Sequence, residues 1–429
     1  MKRFVVFSML TVMVGMATTL THCAKKNDGY DYDDLADTDS IPGSVKYIDT
    51  LPPGTALVHP GGLHITEDFN RIKSRIAANA EPWISGWNKL IANSHAQLTY
   101  SPGAVIKLVR GGSSREEPDA DNYSKAFNDV AAAYQTAIRW KITGDATYAE
   151  KSIQILNAWA ATCKKMSGSS DIFLAAGIYG FQFAATGELM RDYAGWKAED
   201  FKAYQQWMLT LFYPLNHSFL VSHNGTCTYH YWANWDLCNI ASVMAIGILT
   251  DKRSLYNEAV NYFQHGGGNG NIRNTINYVY KEDGLAQLQE SGRDQGHATL
   301  DIALLAPICE MAYHQGDDFY SFGDNLLLKA TEYTAKYNVA NQAVPFTTYK
   351  LVDCDTTTIQ DVISDDSRGN VRPMYAIVYN HYAKRKGLTA PYSLLGVNST
   401  LPEGGGGDYG TTSGGFDQLG FGTLMYTRP

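Results

Sequence analysis

The sequence predicts an all-α fold built from helical hairpins, with few short strands. Residues 123–142 carry apolar side chains at helical spacing, and the pattern breaks at Thr143-Gly144-Asp145 before a second helical run begins. The same order of helix, acidic turn, aromatic residue and helix recurs around Thr250-Asp251 and around Gly316-Asp317. Each Asp is placed to cap the second helix of its pair. Repeated helical hairpins over a long chain predict either an α-solenoid or a closed helical toroid.

Few segments show the alternation of a β-strand. Residues 343–352 and 371–379 are expected to be short strands or extended loops. No glycine-rich nucleotide motif follows a strand, and the sequence contains no Walker loop and no His-Glu-x-x-His zinc motif. We therefore expect no cofactor and no metal. The alternative is a metal site built from His223, His230 and Asp236, although these residues lack a standard ligand spacing.

The two ends of the chain differ in composition from the middle. An apolar run from Phe4 to Leu20 follows two basic residues, as in an export signal, and ends near Cys23 in a segment that resembles a bacterial lipobox. Cys23 would then carry a lipid anchor, which predicts a periplasmic, outer-membrane or cell-surface protein. The expected segments are a signal peptide over 1–22, an acidic lipoprotein tether over 23–60, a helical toroid domain over 61–395 and a glycine-rich tail over 396–429.

Charge and cysteine content exclude some classes of protein. A net charge of −8 with no basic patch argues against nucleic acid as a partner. An acidic polymer is still compatible, because a local cleft can be positive on an acidic protein. An odd number of cysteines remains beside Cys23, without Cys-x-x-Cys spacing, which argues against a disulfide scaffold or a zinc ribbon. Cys227 and Cys238 are close enough in sequence to pair across a turn.

Residues 285–301 form the most informative stretch of the chain. At helical spacing, one face carries ionisable groups of both signs. Interior glycines cost about 1 kcal/mol each relative to alanine, so a helix brought close to a substrate explains them better than a helix selected for stability. The alternative is a solvated helix face with i,i+4 ion pairs. The ionisable residues are Glu290, Arg293, Asp294, His297 and Asp301.

Two further clusters indicate a carbohydrate site. Residues 223–239 place polar and aromatic groups before an apolar helix, where rings stack on sugars and amides or imidazoles bind hydroxyls and carboxylates. The alternative is an ordinary capped helix N-terminus. A later cluster has arginines that can fork onto the carboxylate of an acidic sugar; it contains Arg368, Arg372, Tyr375, Tyr379, Asn380, His381 and Tyr382. The loop 110–122 is either a lid or an ordinary surface loop.

Four sequence blocks resemble those of a known family. In order over residues 120–395, they are His230-Tyr-Trp-Ala-Asn-Trp-Asp-Leu-Cys, Gln289-Glu-Ser-Gly-Arg-Asp-Gln-Gly-His, Glu332-Tyr-Thr-Ala-Lys-Tyr-Asn and Tyr379-Asn-His-Tyr. They resemble the alginate lyase superfamily, and within it polysaccharide lyase family 38. The resemblance implies an (α/α) toroid and β-elimination on a uronic-acid polymer, which is alginate or glucuronan.

The resemblance also implies roles for individual residues. Asn234 and Arg293 match the Asn and Arg of catalytic blocks in a more distant branch of alginate lyases. The catalytic His and Tyr of that branch fall on Trp235 and Leu300, so neither carries over to this chain.

β-Elimination requires neutralisation of the C6 carboxylate, a base for the C5 proton and an acid for the departing C4 oxygen. We expect Asn234, Arg293 and His297 to neutralise the carboxylate. Tyr231 is the first choice for proton abstraction, with His230 competing or assisting, because a tyrosine can act as a base near neutral pH beside a cation. The expected substrate-binding residues are Gln289, Glu290, Asp236, Arg368, Arg372, His381 and Tyr382.

Two other functions fit the same sequence. A glycoside hydrolase on a similar toroid would use Asp236 and Glu290 as its carboxylate pair. A surface glycan-binding lipoprotein would need the aromatic groups but no convergent His, Tyr, Arg and Asn set. The oligomeric state is left open by the sequence.

Overall fold

The computed structural model describes residues 56–429, and the expected signal peptide and most of the expected tether lie outside this range. The described chain is predominantly helical, as predicted. The helices are α1 (Thr66–Ala77), α2 (Trp83–Ala92), α3 (Ser124–Thr143), α4 (Ala146–Thr162), α5 (Asp171–Met190), α6 (Ala198–Trp207), α7 (Tyr213–Ser222), α8 (Ala233–Leu249), α9 (Arg253–His265), α10 (Ile272–Thr275), α11 (Gln295–Gln315), α12 (Phe322–Asn338), α13 (Tyr375–Tyr379), α14 (Pro391–Ser399) and α15 (Gly422–Met425).

The strands form three small two-stranded sheets. β1 (Lys107–Val109) pairs in parallel with β2 (Lys165–Ser167), whereas β3 (Ile276–Tyr280) and β4 (Leu285–Leu288) are antiparallel. β5 (Tyr349–Asp353) and β6 (Thr356–Gln360) form an antiparallel hairpin. The first expected strand, 343–352, therefore overlaps β5. The second expectation, a strand or extended loop over 371–379, was wrong for its second half, because Tyr375–Tyr379 is helix α13, and residues 375–378 of this helix are buried in the core.

Inner helices stand side by side in the core, and outer helices pack around them. α5 lies between α3 and α8, and α8 in turn contacts α11. α5 is long and apolar enough to span a membrane by composition, but 89% of its most apolar window is buried inside the fold, as expected for a core helix. Gly177 of α5 lets this helix approach α8 closely, since a Cβ there would lie 2.8 Å from the backbone carbon of Cys238. The all-α toroid prediction is confirmed.

The acidic turns behave differently from one hairpin to the next. Asp145 caps α4, since its carboxylate accepts a hydrogen bond from the Thr147 backbone N–H at 3.0 Å. Asp251 instead adopts a left-handed conformation before α9. The Asp317 carboxylate accepts a hydrogen bond from Tyr256 at 2.7 Å and so joins two hairpins. Capping was therefore predicted correctly only at the first turn.

The glycine-rich C-terminal segment is part of the core. Phe416 stacks on Phe127 of α3 with ring centroids 4.4 Å apart, and its carbonyl accepts a hydrogen bond from Gln182 of α5 at 2.8 Å. α15 packs against α1 and α2, and Leu424 is fully buried. Residues 396–429 thus connect the end of the chain to its first helices, in contrast to the separate tail that their composition suggested. Glycine permits this close packing of backbone on backbone.

Candidate active site

The 285–301 segment is not one helix. β4 ends at Leu288, a 3₁₀ turn follows over Gln289–Gly292, and α11 begins at Gln295. Asp294 is the N-cap of α11, because its carboxylate accepts the His297 backbone N–H at 2.8 Å. A side chain at position 292 would displace Gln360, since a Cβ on Gly292 would lie 2.5 Å from Oε1 of Gln360. The single-helix prediction was wrong because helical spacing over a short polar stretch does not distinguish a helix from a turn and cap.

The polar residues of this turn nevertheless meet the beginning of α8. Glu290 accepts hydrogen bonds at Oε1 from the backbone N–H and the side-chain amide of Asn234, at 3.0 and 2.7 Å. Its other oxygen lies 2.7 Å from Nη1 of Arg293. Arg293 Nε is 3.6 Å from Asp294, and Asp294 lies 2.6 Å from Nδ1 of His297. We call this connected set, Asn234–Glu290–Arg293–Asp294–His297, the polar chain.

The polar chain is buried at Glu290 and accessible to solvent at Arg293 and His297. Glu290 is completely buried, whereas the side chains of Arg293 and His297 are 28% and 38% exposed. Arg293 also lies over the indole of Trp232, 5.1 Å from the ring centroid. The guanidinium of Arg293 and the imidazole of His297 therefore reach solvent at the same end of the helical toroid. We call this end, where α8 and α11 begin, the mouth.

Burial and hydrogen bonding shift the pKa values of two carboxyl groups near the mouth in opposite directions. Desolvation raises the pKa of Asp301 well above its usual range, and the negative charge of Glu290 beside it raises that pKa further. Burial also acts to raise the pKa of Asp294, but hydrogen bonds from the side chain and backbone of His297 outweigh it, so the net shift is downward. The contact with His297 thus favours the charged form of Asp294, whereas burial near Glu290 favours the neutral form of Asp301.

Gln289 fixes the first turn of α8 from the other side. Its Oε1 accepts the Ala233 backbone N–H at 2.9 Å, and its amide donates to the hydroxyl of Tyr349 at 2.8 Å. Gln289 and Glu290 are both fully buried with their polar atoms bonded inside the protein. We therefore assign them to holding α8 in place rather than to the substrate contact that we expected.

The two candidate acid–base residues occupy different environments. Tyr231 is mostly buried, with its ring 4.6 Å from that of Trp235 and 5.0 Å from that of Phe219, and its hydroxyl accepts a hydrogen bond from Asn224 at 3.2 Å. The His230 side chain is 40% exposed. The His230 and Tyr231 rings lie edge to face with centroids 4.7 Å apart, so the two groups sit beside each other at the mouth.

Asp236 is part of an internal network. It is buried and accepts hydrogen bonds from His223 at 3.1 Å and from the Gly270 backbone N–H at 2.8 Å. Tyr262 lies within hydrogen-bond distance of both side chains. The burial of Asp236 in this network does not fit the substrate-binding role that the sequence predicts for it. His230 binds Asp353 instead of the His223–Asp236 pair. The structure therefore does not favour a metal site built from His223, His230 and Asp236.

The late polar cluster is divided by the fold. Arg372 is buried against Asp417 at 2.9 Å, and Arg368 lies over the ring of Tyr337 at 3.7 Å. His381 accepts a hydrogen bond from Arg385 at 3.0 Å, and Arg385 pairs with Glu310. Along α11, Glu310 is about 20 Å from His297 at 1.5 Å rise per residue.

Two members of that cluster are therefore remote from the mouth. Burial lowers the pKa of His381 to about 3, which keeps it neutral, and the Tyr382 hydroxyl donates to the Tyr320 carbonyl at 2.6 Å. Both side chains are fully buried, so the expected role of His381 and Tyr382 in substrate binding does not fit the structure. Arginines near tyrosines in the sequence indicated a sugar site, but residues of these types also pack and form hydrogen bonds inside a protein core.

The β5–β6 hairpin contributes contacts to the site that the sequence did not predict. Asp353 of this hairpin lies 2.7 Å from Nδ1 of His230, and a disulfide joins Cys354 to Cys227. The Cys227–Cys238 pairing that the sequence left open does not form, because Cys238 is a free cysteine buried on α8 against Gly177. The two cysteines are 127 residues apart, so the sequence did not indicate the pairing, although an expected export signal together with a late cysteine was a usable signal.

Arg110 packs against two tyrosines. Its guanidinium lies 4.9 Å from the ring centroid of Tyr123 and donates to the Tyr179 hydroxyl at 3.3 Å. It begins the 110–122 loop, which is held by internal bonds such as that from the Gly112 backbone N–H to Asp121 at 2.7 Å. The lid interpretation of this loop stays a prediction.

Comparison with solved structures supports the architecture. The chain is similar to an alginate lyase from Bacteroides ovatus, with a TM-score of 0.57 and 14% identity over 86% of this chain and 100% of that one. It is also similar to alginate lyase A1-III from Sphingomonas species A1, with a TM-score of 0.59 and 13% identity over 87% of this chain and 98% of that one. A third similar structure is a histidine-to-alanine variant of A1-III complexed with a tetrasaccharide, with a TM-score of 0.56 and 12% identity over 87% of this chain and 97% of that one.

These structures share the helical toroid fold with this chain. A search of curated proteins gives no match. The alginate lyase family model matches residues 88–344, which is more than half of the chain. The protein therefore belongs to the alginate lyase family. Membership of family 38 within that group stays a prediction.

Proposed function

We propose that this polysaccharide lyase cleaves a polyuronate by β-elimination, with alginate the first candidate and glucuronan the second. The observation that carries the proposal is the polar chain, which brings a fixed guanidinium and a carboxylate-held imidazole to one end of the toroid, beside the buried amide of Asn234. A polymer with one carboxylate on each sugar is the substrate class that this arrangement suits.

Neutralisation of the C6 carboxylate is the role proposed for Arg293, Asn234 and His297. The C5 proton becomes acidic enough to remove only when the enolate-like transition state is stabilised. Glu290 holds Arg293 and Asn234 at fixed positions before substrate arrives, at 2.7 Å in each case. Preorganised donors need no rearrangement during the reaction, which is the main source of such stabilisation.

We assign the proton transfers to His230 and Tyr231, with His230 as the base. A tyrosine base requires a neighbouring cation, and the described contact of the Tyr231 hydroxyl is the neutral amide of Asn224. The imidazole is the more exposed of the two groups. This arrangement reverses the order that we expected from the sequence, in which Tyr231 was the first choice for the base.

The proposed reaction balances within the two residues. His230 takes the C5 proton, the C5–H electron pair forms the C4–C5 double bond, and the C4–O bond breaks. The departing oxygen takes the proton of the Tyr231 hydroxyl. The adjacent rings, 4.7 Å apart between centroids, then allow the imidazolium to return a proton to the tyrosinate.

The hydrolase alternative receives less support. Its carboxylate pair, Asp236 and Glu290, is buried, and each carboxylate is occupied by internal hydrogen bonds. A hydrolase needs one free carboxyl to protonate the leaving oxygen and another to activate water. A non-catalytic glycan-binding protein has no need for a base held by a carboxylate.

We further propose that the protein is exported and anchored through Cys23. The Cys227–Cys354 disulfide supports export, because disulfides persist in oxidising compartments such as the bacterial periplasm. Labelling with a radioactive fatty acid, and its loss in a Cys23→Ala variant, would test the anchor separately from the activity.

The function is tested by incubating the purified protein with alginate, polymannuronate, polyguluronate and glucuronan in separate reactions. Elimination leaves a double bond conjugated to the carboxylate, so ultraviolet absorbance should rise on at least one polymer. New reducing ends without absorbance would instead indicate hydrolysis. If none of the four polymers gave either signal, the proposed substrate class would be contradicted. An Arg293→Ala variant prepared in the same way controls for contaminating lyase.

A further inference from the structure

The β5–β6 hairpin presents one face to the mouth. Side chains alternate along a strand, so Tyr349, Leu351 and Asp353 share a side. Tyr349 binds Gln289, Leu351 is buried, and Asp353 contacts His230. Val352, between them, is 51% exposed. The hairpin therefore covers the residues around His230 with alternate side chains and leaves its other face to solvent.

The contact with Asp353 determines which nitrogen of His230 carries the proton. An ionised carboxylate only accepts hydrogen bonds, so Nδ1 of His230 must be the donor across the 2.7 Å contact. In the neutral ring the lone pair is then on Nε2. No hydrogen-bond partner of Nε2 occurs among residues 56–429. The nitrogen that can accept a proton is thus the one that no protein group occupies.

The disulfide holds this carboxylate where it is needed. Cys354 directly follows Asp353, and its partner Cys227 lies three residues before His230. The crosslink therefore joins the two short segments that carry the acid and the imidazole. Without it, the Asp353–His230 contact would depend on a hairpin turn that is exposed to solvent over Asp355–Thr357.

We propose that Asp353 is a positioning residue that keeps His230 in the Nδ1–H tautomer, and that the Cys227–Cys354 disulfide fixes Asp353 against it. This inference rests on the proposed function in that it prepares Nε2 to accept the C5 proton. A carboxylate behind a histidine base keeps the ring oriented and stabilises the imidazolium that forms, as in hydrolase triads.

The tautomer is tested directly by long-range ¹H–¹⁵N NMR on the full chain with labelled histidine, with the His230 signal assigned by its loss in a His230→Gln variant. The neutral wild-type ring should show the Nδ1–H pattern, and Asp353→Ala should shift it towards Nε2–H. Asp361→Ala is the matched control, because it removes a carboxylate from the segment after β6 that binds Thr348 rather than His230. An unchanged tautomer in Asp353→Ala would overturn the inference.

The kinetic test separates positioning from structure. For Asp353→Ala, kcat should fall by about 10- to 100-fold with KM changed by less than about twofold, because the substrate contacts remain while the base is misoriented. Asp353→Glu should recover part of the loss. A fall in thermal stability with unchanged kcat would assign Asp353 a structural role only, and so contradict the proposal.

The disulfide gives an independent measurement. Cys227→Ser/Cys354→Ser should lower kcat in the same direction as Asp353→Ala, and a thiol reductant should do so in the wild type but not in the double variant. Since Cys163, Cys238 and Cys309 are buried and free, they do not provide another reducible pair among the described residues. If the reductant still lowered kcat in the double variant, the proposed role of the Cys227–Cys354 disulfide would be refuted. NMR needs no turnover, so an inactive wild type with the expected tautomer would count against the proposed function alone.

Discussion

Replacement of Arg293 tests the central element of the proposed site. In Arg293→Ala the substrate carboxylate loses its fixed cation, and in Arg293→Lys it keeps a charge but loses the planar fork. One edge of the guanidinium is already occupied by Glu290 at 2.7 Å, so a lysine has to choose between Glu290 and the substrate. Both variants should therefore lose activity, and alanine should lose more.

The size of the effect follows from the geometry. Removal of one preorganised donor to a developing negative charge costs about 3–4 kcal/mol, so kcat/KM should fall about 10²- to 10³-fold in Arg293→Ala. Arg293→Lys should lose about 10- to 100-fold. Stability should fall by about 1–2 kcal/mol in Arg293→Ala, which is less than the loss of a fully buried ion pair because the arginine is 28% exposed and Asn234 still donates to Glu290.

The assay is the initial rate of absorbance increase on the best polyuronate, alongside urea unfolding of each variant. Arg75→Ala is the matched control, because Arg75 lies 5.2 Å from the ring centroid of Trp83, much as Arg293 lies over Trp232. In Arg293→Ala/Glu290→Gln, stability should recover because the uncompensated buried charge is gone, while activity should stay low. An Arg293→Ala variant that keeps kcat/KM within about threefold of the wild type would refute the reasoning.

Three further predictions address the acid, the hairpin and the C-terminal segment. Tyr231→Phe should lower kcat by about 10²- to 10⁴-fold with little change in KM, measured by the same absorbance assay, and a loss below about tenfold would argue against its role as the acid. Gly292→Ala should push Gln360 and the hairpin outwards, since the new Cβ would lie 2.5 Å from Oε1 of Gln360, and so lower kcat by more than about tenfold with a small change in melting temperature. Burial raises the pKa of Glu403 to about 7, against about 4.3 when unfolded, so its stabilising contribution is complete below about pH 4 and is lost as the pH rises to about 7. In urea unfolding, the free energy of unfolding of Glu403→Gln should therefore rise by about 2–3 kcal/mol relative to that of the wild type between pH 5 and pH 8. A difference in free energy that stays constant over this pH range would contradict the prediction.

The sequence was sufficient for the helical part of the fold. Apolar periodicity located α3 and the repeated hairpins, because a helix buried on one or more faces needs apolar groups at its own period whatever its neighbours are. The resemblance blocks also brought Asn234, Arg293 and His297 to one place, which the polar chain reproduces. Local composition did not describe residues 396–429 correctly, because glycine-rich sequence is compatible both with an open tail and with tight packing.

Tertiary structure decided the parts of the site that depend on distant contacts. Whether His381 lies in a substrate site or in the core, and whether Cys227 joins Cys238 or Cys354, depends on residues more than 60 positions away that periodicity does not register. The partner of His230 is another case, since Asp353 reaches it only because a hairpin 123 residues later folds back over the mouth. The sequence by itself determined a helical toroid and the chemical types that a lyase needs. Only the folded chain decided which of those groups remain accessible, because burial and hydrogen bonding are properties of the assembled core.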